Sequence, residues 1–246
     1  GRSTWGGRGG GAGAGGVGGC GRAGGREPLA SLFYTERVAV GERGHVIDKN
    51  LRLAAAAGAP DDRREFPLAG PASPAAEQAR AMADGPYAVL NPGAAWPNKR
   101  WPPERFGAVA RRGAERHAWR SIVLWGPGEE DNASRVVQAS CGSARLAPRT
   151  GLTDLVAILR DAKLMVSGDT GPTHIAGALG TPVVSLFGPT TPARNGPWNP
   201  RDQALSRYDA CGCHYQRQCR YGASGQWCLG TITEDELMAA IDRRLA

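Results

Sequence analysis

The run best suited to chemistry is Asp169-Thr170-Gly171-Pro172-Thr173-His174. It follows an apolar segment, Lys163 to Gly168, that reads as a strand, and Pro172 suits the first turn of a helix. A strand end that turns into a helix N-terminus gathers free amides and the positive end of the helix dipole, which makes an anion site for a phosphate or diphosphate. Asp169 is acidic there, so it is a poor phosphate ligand and a good acceptor for sugar hydroxyls. Two readings stay open on the residues alone. Either Asp169 or Thr170 caps the helix and His174 is a packed core histidine, or the group holds a ligand.

A second candidate is Lys99 with Arg100, bracketed by Trp96 and Trp101 after the turn Asn91-Pro92-Gly93. A lysine at a strand's carboxyl end, near glycine backbone, can neutralise a leaving diphosphate; the alternative is a solvated surface pair. Glu129 and Glu130 follow a strand ending at Gly126, where they either accept ribose hydroxyls or complement a helix dipole. Cys211, Cys213, Cys219 and Cys228, with His214 beside them, lack paired C-x₂-C spacing. They read as packed or exposed thiols, with a zinc site or labile disulfide as the less favoured reading.

These residues need elements to hold them. Strands are predicted at Tyr87 to Leu90, Ser121 to Gly126, Lys163 to Gly168 and Pro182 to Gly188. Between them come helices from Pro103 to His117, Glu129 to Ser140, a Thr153-capped helix to Asp161, and Pro172 to Leu179. A last helix runs from Thr233 to Leu245, with Thr233 and Glu236 spaced as a capping box. Alternation of this kind predicts an α/β fold with a doubly wound parallel sheet, whose ligands sit outside the strands' carboxyl ends. No G-x-G-x-x-G fingerprint, heptad or internal repeat is present.

Upstream the signal changes. Of 36 glycines in 246 residues, 14 fall in residues 1–27, a stretch with almost nothing apolar to bury. It reads as a Gly/Arg-rich disordered segment or a misread one. A strand in Leu32 to Val40, a helix from Asp48 to Ala57 stopped by Gly58, and a Ser73-capped helix from Pro74 to Ala83 follow. The expected organisation is therefore 1–27 disordered, 28–60 a remnant of one domain, 61–86 a linker with a short helix, and 87–246 a binding domain. The net charge is +7, of which four arginines against Glu27 place +3 in residues 1–27, so basicity argues little for nucleic acid. With no apolar run of membrane-spanning length and no export signal, a cytoplasmic protein is expected. The opening on Gly1 reads as a chain cut at its N-terminus.

Taken together, NPGAAWPNKRWP (91–102), WGPGEE (125–130) and SGDTGPTHIAGALGTPVVSLFGPTTPAR (167–194) resemble the C-terminal half of glycosyltransferase family 9, the ADP-heptose:lipopolysaccharide heptosyltransferases. The individual loops are weak signals; their order and spacing are specific, and the resemblance extends over roughly residues 29–246. It implies GT-B architecture, with two Rossmann-like domains facing a cleft. It also implies inverting transfer of heptose from ADP-heptose to a lipid A–core acceptor, with peripheral contact at the inner face of the cytoplasmic membrane and no metal cofactor. Lys99 and Asp169 would be catalytic, Lys99 on the diphosphate and Asp169 on the donor sugar. Thr170 and Gly171 would offer amides, with Asn91, Gly93 and Pro172 lining the site. Glu129, or failing it Glu130, would hold the ribose, and His174 would line the donor site or support its loop. The family's general base lies upstream of anything in this sequence, so the resemblance predicts a donor domain without useful transferase activity. The rival readings are a non-catalytic nucleotide-binding module and, more remotely, a basic nucleic-acid binder.

Overall fold

A computed structural model describes residues 18–20, 36–41, 44–59, 63–70, 72–220 and 228–246. The chain divides into two compact units, Gly1–Arg64 and Glu65–Ala246.

In the first unit, strand β1 (Gly18–Cys20) pairs in parallel with β2 (Glu36–Val38), Gly19 opposite Arg37. This corrects the expectation of disorder for those three residues. A ladder is made by backbone amides and carbonyls, so glycine's missing side chain weakens a strand without preventing one. The rest of 1–27, and residues 32–35 of the predicted strand, lie outside the described residues. Helix α1 (Val46–Ala56) begins two residues before the predicted start, because His45 is its cap: the ring Nδ1 accepts from the Ile47 amide at 3.2 Å.

The second unit is a six-stranded sheet, all parallel. Its strands are β3 (Tyr87–Asn91), β4 (Arg120–Val123), β5 (Ala144–Leu146), β6 (Leu164–Gly168), β7 (Val183–Phe187) and β8 (Gln203–Ser206). Their spatial order is β5-β4-β3-β6-β7-β8. The order reverses between β3 and β6, so the connections leaving these two strands diverge and open a crevice at their carboxyl ends. Period-2 alternation sends Ala88, Leu90, Leu164 and Val166 to one face and Tyr87, Val89 and Met165 to the other. The first face is covered by α3 (Pro103–His117), α4 (Glu130–Ala139) and α8 (Glu234–Leu245), the second by α2 (Pro74–Ala83), α5 (Leu152–Asp161) and α6 (Gly171–Ala178). A short helix, α7 (Pro192–Asn195), follows β7.

The expected linker at 61–86 is corrected by this packing. The boundary falls after Arg64, and α2 is part of the sheet unit. Ala76, Ala79 and Ala83 are buried, Ser73 caps the helix and donates to Asp154 at 2.6 Å, and the Tyr87 hydroxyl donates to the Ile158 carbonyl at 2.7 Å. The α5 start is also corrected: Gly151, not Thr153, is the N-cap, with Asp154 accepting from its amide at 2.8 Å. Among the described residues, no helix is long and apolar enough to cross a membrane.

Candidate functional site

At the β3/β6 switch point lies a cleft of about 570 Å³. Asn91, Gly93, Lys99, Glu129, Asp169, Thr170, Gly171 and Pro172 all line it, together with Trp96, Trp125 and Leu155. Eight of the ten candidate binding residues are thus in one place, drawn from the ends of three strands.

Asp169 is the centre of the arrangement. Its Oδ2 accepts from Lys99 Nζ at 2.6 Å, from the Thr190 hydroxyl at 2.8 Å and from Asn195 Nδ2 at 3.4 Å. Burial works to raise its pKa, but hydrogen bonding and charge from Lys99, with Thr190 and Asn195, outweigh this and hold the carboxyl below the ordinary aspartate value. Lys99 is enclosed, with 12% of its side chain exposed and its ammonium 4.5 Å from the centre of the Trp96 ring. The solvated surface reading of Lys99 is therefore excluded. Lys99 also differs from a lone cation awaiting phosphate, because an anion entering the cleft meets an ammonium already shared with Asp169. The approach depends on Gly168, where a Cβ would stand 3.0 Å from the Lys99 carbonyl.

Thr170 is the N-cap of α6, yet its side chain makes no capping bond. Its hydroxyl instead sits in a polar chain, 3.1 Å from Asn91 Nδ2, 3.0 Å from Ser167 Oγ and 3.1 Å from Thr173 Oγ1, while Thr173 donates to the Gly168 carbonyl at 2.7 Å. The capping alternative fails because the hydroxyl faces back to the sheet. Gly171 and Pro172, the first residues of α6, line the cleft, so the positive end of the helix dipole stands beside it. His174 is not a core residue. Its side chain is 47% exposed, with Nε2 3.8 Å from Asp169 Oδ1, outside the cleft lining.

Glu129 and Glu130 separate. Glu129 lines the cleft, its Oε2 accepting from the Gly126 amide at 3.1 Å, whereas Glu130 is exposed in the first turn of α4 and serves the helix dipole. Gly93 makes room for Glu129, since a Cβ there would lie 2.3 Å from Glu129 Oε2. Arg100, paired with Lys99 in sequence, donates to the Ala94 carbonyl at 2.8 Å and shapes the loop.

Thr190 and Asn195 were not among the candidates. Their signal was available: they follow β7, which pairs in parallel with β6, so residues just past both strands must be neighbours. The four C-terminal cysteines are all thiols, three buried and Cys219 partly so. Cys213 Sγ lies 3.6 Å from Cys219 Sγ, and burial, then the neighbouring Cys211, pushes the Cys228 thiol up to about 11. Among the described residues no group of three or more His, Cys, Asp or Glu is arranged to hold a metal ion.

A parallel sheet in this order, with cation, carboxylate and helix N-terminus gathered at its switch point, defines a doubly wound, Rossmann-like α/β protein. The sequence model of glycosyltransferase family 9 (heptosyltransferase) matches residues 15–224, and the chain belongs to that family. The match begins well before residue 29, inside the glycine-rich stretch. Lipopolysaccharide heptosyltransferase 1 of Pseudomonas aeruginosa is 30% identical over 204 residues, 81% of this chain and 56% of that protein. The Salmonella typhimurium protein of the same name is 31% identical over 187 residues, 73% of this chain and 56% of its own. The chain thus spans about half the length of the curated relatives it matches. Among solved structures, E. coli heptosyltransferase WaaC with ADP superposes with a TM-score of 0.66 at 24% identity, over 92% of this chain and 65% of that one. A family 9 glycosyl transferase from Veillonella parvula gives 0.72 at 24%, over 88% and 64%.

Proposed function

We propose that this chain carries the donor side of a heptosyltransferase, which transfers heptose from ADP-heptose to the lipopolysaccharide inner core with inversion. The observation that carries the reading is the convergence of Lys99, Asp169 and the α6 N-terminus on one cleft. Relatives named as lipopolysaccharide heptosyltransferases, and a related fold solved with ADP, support it.

In this reading the diphosphate lies against the amides of Thr170 and Gly171, Glu129 accepts from the ribose, and Asp169 holds the sugar. As the sugar–phosphate bond breaks, negative charge grows on the departing diphosphate. Lys99, fixed near that position by Asp169 and Trp96, stabilises the charge without needing to reorganise. The lipid A–core acceptor implies work at the cytoplasmic face of the inner membrane, and no nucleic acid takes part.

Asp169 is unsuited to deprotonating the acceptor. A carboxylate whose pKa is depressed by a lysine and two further donors is a weak base. In this reading the acceptor's base is therefore a group other than Asp169. Calorimetric titration with ADP and ADP-heptose tests the donor site: both bind, and Lys99→Ala weakens both. Absence of binding to the folded chain overturns the donor-site reading.

A further inference from the structure

The segment between β8 and α8 carries a pair of sulfurs that the proposed transfer does not use. Cys213 is fully buried and Cys219 partly exposed, with their Sγ atoms 3.6 Å apart. Between them in sequence lie two residues that fasten this segment to neighbouring loops. The Tyr215 amide donates to the Pro189 carbonyl at 2.9 Å, and the Gln216 carbonyl accepts from Asn98 Nδ2 at 2.8 Å. Pro189 directly precedes Thr190, and Asn98 directly precedes Lys99, two of the three donors to Asp169. Residues 213–219 are therefore a strap between the two loops that carry Thr190 and Lys99, with a thiol at each end.

We propose that Cys213 and Cys219 are a modifiable dithiol, which a low-molecular-weight disulfide of the oxidised-glutathione type converts to an internal disulfide that locks the strap. The sulfurs need to approach by about 1.5 Å to reach bonding distance. Cys219, the accessible member, attacks one sulfur of the oxidant as thiolate; the oxidant's S–S bond breaks, one small thiol leaves, and a mixed disulfide forms. Cys213 then attacks the Cys219 sulfur and expels the second small thiol. Two protein thiols lose two electrons, the oxidant gains them, and the two protons leave on the released thiols.

The test incubates the whole chain with oxidised glutathione and maps disulfides by mass spectrometry after alkylation, with exposed Cys141 as internal control. The expected product links Cys213 to Cys219 and is two hydrogens lighter. The Tyr215 amide, held in a closed ring, then exchanges hydrogen at least about fivefold more slowly. In Cys219→Ser, Cys213 stays unmodified while Cys141 is saturated. Links to Cys211 or Cys228, a stable mixed disulfide on Cys219, zinc bound to the purified chain and shielding the thiols, or unchanged Tyr215 exchange in the linked form each overturn the proposal. The identity of the cleft's ligand does not enter any of these readouts.

Discussion

Asp169 is a buried carboxylate that three donors keep ionised, and this makes its pH behaviour a direct test of the geometry. A depressed folded pKa contributes stability that is complete above the ordinary aspartate value of about 3.9 and is lost as pH falls through the lower folded value. Wild type and Asp169→Asn should therefore differ in stability by a constant amount between about pH 5 and 8. The gap should narrow in acid, as calorimetric or urea unfolding at each pH will show; a gap that widens contradicts the assignment. At neutral pH, Lys99→Ala leaves that carboxylate without its cation and should cost roughly 3 kcal/mol, seen as a lower urea midpoint. Both residues were legible from their types and from their places after predicted strands. Their mutual ion pair was not, because 70 positions separate them and only the β3–β6 pairing brings the two loops together.

Elements with strong local signals were legible to within a residue or two. Helix α2 follows from Ser73 and Pro74, and α8 from the reciprocal Thr233 and Glu236 capping box, both of which the structure contains. Strands β5 and β8 were not foreseen. They are the two edges of the sheet, short and only partly buried, so neither has the apolar run that marks an interior strand. The hold of α8 on β8 has a similar origin in tertiary structure: Arg244 Nε donates to Asp202 at 2.5 Å, and Asp202 also accepts from the Val183 amide. Arg244→Leu leaves Asp202 charged, buried and without its guanidinium, at a cost of about 3 kcal/mol. Adding Asp202→Asn keeps the acceptor for Val183 and should restore much of the loss, measured as a double-mutant cycle in urea.

For the whole molecule, the decisive feature is where the sheet unit begins. Ala76, Ala79 and Ala83 belong to one buried core with Ile122 and Ile158, so residues 65–246 should unfold in one cooperative urea transition, whereas residues 87–246 should lose cooperativity. Equal transitions for the two would return α2 to the role of linker. Family membership, the α/β alternation and most residues of the cleft were set by local sequence, because capping residues, apolar runs and a strand-turn-helix junction are properties of short stretches of chain. Tertiary structure alone decided that α2 belongs to the sheet, that Lys99 is paired with Asp169, and that the cysteine segment braces their loops. Each of these depends on which strand lies beside which, and neighbours in a parallel sheet are distant in sequence.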